Sequence, residues 1–299
     1  MQPHPLLLPS LLLAMLLLTA SHGDAASPDH FDQMYRQVRM DAEQGDAAAQ
    51  NNLALLYYNG KGINRDLEAA RKWFQKAADQ GNAVAQHNLG LMYEQGQGGP
   101  RDANEAVRWL RQAAEQGYVK SYFHLAMLYK KGQGVPQDYQ EALRWLRKAA
   151  ATGDGEAKSN LGLMHEQGLG VPQSFPDALR WYQDAAQDGN AVAMNNLGLL
   201  HERGRGVLQD YKEAETWFRK AAELGLAAGQ FNLGMMFRHG HGVGQDNVAA
   251  YMWLNLAAAQ GDENAIRERD SLAGRMNQAE LARAQELARA WKPRSEVAF

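Results

Sequence analysis

The chain has 299 residues, and its 31 basic and 34 acidic residues leave a formal net charge of −3. This near balance excludes the strongly basic surface that nucleic-acid binding requires, and we expect no nucleic-acid partner. Cysteine is absent, which excludes disulfides, thiol nucleophiles and thiolate-bound zinc.

The first 25 residues predict an export signal. Leu6–Ala20 is almost wholly apolar, and the small residues after it suit cleavage behind Gly23 or Ala25. The apolar run is shorter than the roughly 20 residues that span a bilayer, which disfavours an uncleaved membrane anchor. We therefore predict a periplasmic or secreted protein that has no membrane span once residues 1–25 are removed.

A repeat of 36 residues organises the rest of the chain. Glycine recurs at this interval from Gly45 to Gly261, and leucine recurs from Leu53 to Leu233. Six tryptophans keep the same interval: Trp73, Trp109, Trp145, Trp181, Trp217 and Trp253. Such a period is typical of stacked helical hairpins, so the sequence predicts six copies over residues 45–260.

Each copy predicts two helices, which we name helix A and helix B. In the first copy, helix A runs from near Asp46 to near Asn59 and ends at a Gly-x-Gly pair, and helix B follows the N-cap Asp66. Helix B carries its tryptophan and paired alanines on one apolar stripe. An acidic residue three positions after the cap predicts capping boxes at Asp102/Glu105, Asp138/Glu141 and Asp210/Glu213.

Helix A also contains a column that holds only alanine or glycine. This restriction predicts that two backbones pack closely there. The column comprises Ala54, Gly90, Ala126, Gly162, Gly198 and Gly234.

The two ends depart from the repeat and predict capping elements. Residues 26–44 keep the outline of a helix B, but Gln37 replaces the tryptophan and Asp41 replaces an alanine. We expect them to form an N-terminal capping helix with a polar outer face. Residues 261–299, which include Trp291, have a longer spacing and predict a C-terminal capping hairpin. The predicted fold is all-α, and we expect a monomer.

The motif A-x-x-N-L-G-x-x-Y-x-x-G-x-G-V-x-x-D-x-x-x-A-x-x-W-x-x-x-A-A-x-x-G resembles the Sel-one-like repeat, a relative of the tetratricopeptide repeat. Ala83–Gly98 and Ala191–Gly206 match it nearly residue for residue. The resemblance implies a right-handed α-solenoid that assembles or regulates other proteins. A cysteine-rich branch of the family is linked to penicillin binding and β-lactam hydrolysis, but that branch depends on disulfides that this chain cannot form.

The sequence contains no recognisable catalytic, cofactor or metal-binding motif. His165 and His201 each precede a glutamate but lack the second histidine of the H-E-x-x-H zinc motif. His239 and His241 form an isolated H-x-H pair, and no serine is followed three positions later by lysine. We therefore expect a non-enzymatic protein with no cofactor and no metal.

The third copy departs most from its neighbours and predicts a partner-binding patch. Aromatic residues with a rim of lysines are typical of protein-binding surfaces. The predicted patch comprises Tyr118, Lys120, Tyr122, Phe123 and Lys130, together with Phe231, which occupies the column of Phe123 in the sixth copy. The alternative is that Tyr122 and Phe123 only repack a contact between repeats.

The predicted function is that of an exported scaffold that binds a protein or peptide in its concave groove. One alternative is a protein that interacts with cell-envelope glycan or peptidoglycan. Another is a penicillin-binding or β-lactamase-like activity.

Overall fold

A computed structural model describes residues 28–294, and the predicted leader lies outside the described residues. The described part contains fifteen helices and no strands. The bounds are α1 (Pro28–Glu43), α2 (Ala47–Asn59), α3 (Leu67–Asp79), α4 (Ala83–Gln95), α5 (Ala103–Glu115), α6 (Lys120–Lys131), α7 (Tyr139–Ala150), α8 (Gly155–Gln167), α9 (Phe175–Gln187), α10 (Ala191–Arg203), α11 (Tyr211–Glu223), α12 (Ala227–His239), α13 (Asn247–Ala259), α14 (Glu263–Ala273) and α15 (Gln278–Ala290). Even-numbered helices from α2 to α12 are the helices A, and odd-numbered helices from α3 to α13 are the helices B. The predicted all-α arrangement is confirmed.

The chain forms two compact units, of which the first ends at Lys148 and the second begins at Ala149, within α7. In each unit a helix A packs against the helix B of its own hairpin and against the helix before it. In the second unit α15 returns to pack on α13, as a closing element should. No described helix is long and apolar enough to cross a membrane.

The large residue after each tryptophan forms a fully buried column of helix B. Phe74, Leu110, Leu146, Tyr182, Phe218 and Leu254 are all 0% exposed. The tryptophans themselves vary: Trp109 and Trp145 are buried, whereas Trp73, Trp181 and Trp217 are half-buried. The large residue next to the tryptophan is therefore the more constant part of the core.

The predicted reason for the alanine and glycine column is only part of the explanation. A Cβ on Gly90 would lie 2.7 Å from Leu110 Cγ, and one on Gly198 would lie 2.5 Å from Phe218 Cε1. The column thus makes room for the large buried side chain of helix B. At Gly90 and Gly234 it also permits a close backbone, since an added Cβ would lie 3.2 Å from the Ala106 carbonyl oxygen or the Leu254 backbone nitrogen.

A closer backbone approach occurs at the second glycine of the Gly-x-Gly pair. Gly98 and Gly134 have φ of +67° and +73°, which favours glycine. A Cβ on either would lie within 2.1 Å of a carbonyl oxygen at the start of the preceding helix B, at Leu67 or Ala103. These glycines therefore permit consecutive hairpins to stack.

The capping boxes predicted in the helices B are only half formed. In α5 the N-cap Asp102 accepts from two backbone N–H groups of the first turn, as predicted. Glu105 instead accepts from Trp109 Nε1 at 3.0 Å, and the Asp102 N–H donates to a carbonyl oxygen of α4. A complete box joins Asn277 and Glu280 in α15.

The two ends of the described residues pack on the neighbouring repeat helices. In α1, Gln37 donates to Asp41 at 2.8 Å on the outer side, while Val38 and Ala42 are buried against α2. At the other end, Trp291 packs edge-on against Trp253, with ring centroids 6.0 Å apart.

Candidate partner-binding surface

Helix α10 presents an accessible stripe, and we call the corresponding positions of each helix A the helix A face. In α10 the stripe consists of Val192, Asn196, Leu199 and Arg203, at intervals of four, three and four residues. Such intervals place side chains on one side of a helix. Val192 is 49% exposed, and Leu199 is half-buried, so the stripe combines apolar area with polar ends.

Asparagine occupies the same position of this stripe in five of the six hairpins, and we call these residues the asparagine column. The column comprises Asn52, Asn88, Asn160, Asn196 and Asn232, and α6 has His124 in their place. An amide side chain offers two donor hydrogens and one acceptor oxygen. In α12 the Asn232 amide donates to Asn195 Oδ1 at 2.8 Å.

Asn88 has an unusual environment within the column. It is 0% exposed, and neither its Oδ1 nor its Nδ2 has a hydrogen-bond partner. A buried polar group without a partner costs about 1–3 kcal/mol of stability. The fold therefore carries a local energetic cost at this position.

Beside Asn88, aromatic and histidine rings of α4 and α6 form what we call the α4–α6 cluster. The His87 ring centroid lies 5.0 Å from that of Tyr118 and 5.6 Å from that of His124. His87 Nδ1 lies 2.9 Å from Ser121 Oγ. Burial lowers the pKa of His87 to about 3, assisted by repulsion from His124 and Lys120, so its imidazole is neutral at physiological pH.

Tyr118 replaces the N-cap residue of the third helix A. In α4 the corresponding Asn82 accepts from Ala85 N, but α6 begins behind Val119 with no side-chain cap. Tyr118 packs on His87 instead, and burial raises its pKa. This substitution therefore exchanges a helix cap for an aromatic contact.

The predicted patch residues Lys120 and Phe123 adjoin the α4–α6 cluster. Phe123 is half-buried, and its ring centroid lies 6.1 Å from that of His124. Lys120 is close enough to His87 to disfavour its protonation, and burial lowers the pKa of Lys120 itself. Lys130 lies at the other end of α6, where burial and the charge of Lys131 lower its pKa.

Tyr122 lies on a different side of α6 from Lys120. Its ring centroid is 5.6 Å from that of Trp145 in α7, and Lys148 Nζ lies 4.4 Å from the Trp145 centroid. Tyr122 therefore packs within its own hairpin. This contact differs from the contact between repeats that the alternative interpretation expects.

The column of Tyr122 shows a pairing that the sequence analysis missed. In other hairpins its residue bonds to the one 30 positions later, just after helix B. The bonded pairs are Gln50 and Gln80 at 2.8 Å, Gln86 and Gln116 at 2.6 Å, Lys158 and Asp188 at 2.5 Å, and Gln230 and Gln260 at 2.9 Å. The fifth hairpin holds apolar Met194 and Leu224 in one core cluster. The two residues of each pair lie 30 positions apart and have matching chemistry, and this regularity was the signal of the pairing in the sequence.

Phe231 lies in the second unit, partly buried against a core cluster that includes Tyr251 and Leu254. The structure thus brings together Tyr118, Lys120 and Phe123. It places Tyr122, Lys130 and Phe231 in separate surroundings.

The histidines that the sequence singled out have ordinary packing partners. The His241 ring lies 4.8 Å from that of Tyr211 and 5.5 Å from that of His239. His165 Nδ1 lies 3.9 Å from Asp177 Oδ2. Within residues 28–294 no group of three or more potential ligands could hold a metal ion.

The family model of the Sel1 repeat matches six consecutive segments, at 47–82, 83–118, 119–154, 155–190, 191–226 and 227–262. The crystal structure of c5321, a protective antigen present in uropathogenic Escherichia coli strains that displays an SLR fold, is 33% identical with a TM-score of 0.78. The match covers 93% of this chain but only 63% of that antigen chain. A Sel1 repeat protein from Oxalobacter formigenes is 36% identical with a TM-score of 0.67, over 72% of this chain and 89% of its own. No curated protein matches the chain.

Proposed function

Because the chain belongs to the Sel1 repeat family, whose members generally mediate protein–protein interactions, we propose that it is an exported scaffold that binds a protein or peptide on its helix A face. The family is typically non-enzymatic, which agrees with the absence of a catalytic motif in the sequence. The apolar leader at Leu6–Ala20 supports export to the periplasm or beyond.

The asparagine column is the observation that carries this proposal. An extended peptide presents unpaired backbone N–H and C=O groups along its length. Amides repeated once per hairpin can bond these groups whatever the peptide sequence, and the half-buried leucines and methionines beside them can pack against its side chains.

The α4–α6 cluster supports a more selective role for the third hairpin. There His124 replaces the asparagine, and Tyr118 and Phe123 add aromatic area beside Lys120. Aromatic residues are enriched among the residues that dominate binding energy at interfaces. We propose that this cluster recognises a side chain of the partner.

Affinity capture with the mature chain from envelope extract tests the scaffold proposal. The variant Asn160→Ala with Asn196→Ala should reduce capture of the partner while far-ultraviolet circular dichroism stays helical. A matched control, Arg180→Ala with Thr216→Ala, alters exposed positions of helices B and should leave capture unchanged. Equal capture by all three proteins contradicts the proposal, and release of the partner by peptidoglycan fragments favours the glycan alternative.

The α4–α6 cluster requires a separate test with residues that other copies already hold. Tyr118→Asn restores the cap seen at Asn82, and Phe123→Asn introduces the residue found at Asn51 and Asn195. The double variant should fold and lose selective capture. A variant that retains full capture places the selective contact elsewhere.

A further inference from the structure

A large groove lies on the helix B side of the first unit, away from the helix A face. It has a volume of about 1160 Å³ and runs between α3 and the loop that follows α4. Its lining includes Arg71, Trp73 and Lys76 from α3, together with Tyr93 and Gly99. We call it the α3 groove.

The α3 groove differs from its counterpart in the next repeat at several lining residues, of which Gly99 accounts for additional space. That counterpart, lined by Val107, Arg111 and Val135, has a volume of about 500 Å³. Val135 stands one period after Gly99, and the remaining copies hold Ile63, Val171, Val207 and Val243 at this position. Gly99 thus replaces a branched side chain, and a Cβ there would lie 2.4 Å from Arg71 Nη1.

The space left by Gly99 is used by a guanidinium group. Arg71 lies over the Tyr93 ring at 3.7 Å from its centroid, and its Nη1 donates to the Pro100 carbonyl oxygen at 3.1 Å. The next two repeats hold Val107 and Leu143 where the first holds Arg71. The groove therefore has an arginine where its neighbours have an apolar residue.

The positively charged side chains of the groove outnumber its carboxylates, since Arg71, Lys72 and Lys76 line it together with Asp66 and Glu68. Lys76 Nζ lies 3.9 Å from the Trp73 ring centroid, and no carboxylate of the described residues pairs with Lys76 or Arg71. The neighbouring Lys72 differs, since it pairs with Glu68 at 2.6 Å. Two cations on aromatic rings, without acidic partners, complement a ligand that carries carboxylates.

We propose that the α3 groove is a second binding site, and that it takes an acidic peptide segment that also bears an aromatic side chain. The planar guanidinium of Arg71 matches a carboxylate through paired N–H donors, and Lys76 adds charge beside it. The half-buried Trp73 offers the surface for the aromatic side chain. The volume exceeds that of sites for small molecules, which suits several residues of peptide.

Fluorescence anisotropy with a labelled heptapeptide of alternating glutamate and phenylalanine tests this site. Arg71→Leu and Gly99→Val introduce the residues that other repeats hold at these positions, so both variants should fold. The valine meets only the far end of the flexible Arg71 side chain, which it displaces from Tyr93. Each variant should bind the peptide about tenfold more weakly or worse, which is the effect of losing one charge-assisted contact.

Lys148→Gln provides the matched control. Lys148 occupies the position of Lys76 in the third hairpin and also lies over a tryptophan, at 4.4 Å. Its loss should leave binding unchanged, whereas Lys76→Gln should weaken it. A peptide of alternating glutamine and phenylalanine should not bind the wild-type protein.

Three results would overturn the proposal. They are equal binding by wild type and Arg71→Leu, equal binding of the glutamate and glutamine peptides, and displacement of the bound peptide by uncharged glycan fragments. Because the asparagine column lies on helices A, its variants should bind this peptide normally. Failure of one site thus remains distinguishable from failure of the other.

Discussion

Tryptophans at equivalent positions of the repeat differ in burial, so the same substitution should have unequal effects on stability. Trp145 is 1% exposed, whereas Trp217 is half-buried. The ring of Trp145 contacts Tyr122 at 5.6 Å and has Lys148 over it at 4.4 Å. Lys220 covers Trp217 at 4.2 Å. We predict that Trp145→Ala lowers the free energy of unfolding more than Trp217→Ala does.

The expected magnitude for Trp145→Ala follows from its surroundings. Replacing a fully buried tryptophan by alanine costs about 3–5 kcal/mol through lost burial and a cavity. The indole Nε1 of Trp145 has no hydrogen-bond partner, and removing this buried donor recovers about 1 kcal/mol. We therefore expect a loss of about 2–4 kcal/mol for Trp145→Ala. Since Trp217 keeps part of its ring in water, its loss should be about 2 kcal/mol.

Urea unfolding of the mature chain, followed by far-ultraviolet circular dichroism as a measure of helix content, gives both losses in the free energy of unfolding. Trp291→Ala serves as a reference at the C-terminal end, where the half-buried ring contacts Trp253 at 6.0 Å, and should also cost less than Trp145→Ala. Equal losses at Trp145 and Trp217, or a larger loss at Trp217, would refute the argument from burial.

Three further predictions concern processing, pH and paired side chains. Intact-mass measurement of the exported protein should show loss of the first 23 to 25 residues, and full-length protein in the inner membrane would contradict the predicted cleavage. Because burial lowers the pKa of His87 to about 3 from 6.5, the unfolded chain binds a proton that the folded chain does not. As the pH is lowered from ~6 to ~4, the free energy of unfolding should therefore fall by about 1.4 kcal/mol per pH unit. Urea unfolding at several pH values measures this slope, and His87→Asn should remove the part that is due to His87. Gln116→Ala should cost about 1–3 kcal/mol by leaving buried Gln86 underbonded, whereas Gln86→Met with Gln116→Leu should be nearly neutral. If the double variant loses as much stability as Gln116→Ala, the two glutamines do not act as an independent pair.

The repeat architecture was predictable from the sequence because its signals are local. The glycines at Gly60 and Gly96 end their helices with φ of +66° and +69°, as the Gly-x-Gly motif predicts. The caps at Asp66 and Asp102 accept from first-turn N–H groups, as residue type alone suggests. The period then fixed the number of hairpins, since each copy repeats the same local signals.

The candidate site was predictable only in part. The departure of the third copy located Tyr118 and Phe123, which the structure brings beside the His87 and His124 rings. The surroundings of Tyr122 could not be predicted from the sequence. Tyr122 lies two positions after Lys120, so it points to another side of α6, where it meets Trp145. The sequence shows such a residue as variable but does not reveal which neighbour it contacts.

What the sequence by itself determined is the hairpin, its caps and its repetition, all of which depend on residues close together in the chain. Only the tertiary structure decided which variable positions pair and where space remains. Gln86 and Gln116 meet across a hairpin at 2.6 Å, and Gly99 opens the α3 groove around Arg71. Both outcomes depend on side-chain volume and hydrogen bonding between elements that are distant in sequence. Matched residues 30 positions apart indicate which positions could pair, but only the structure shows that their atoms meet.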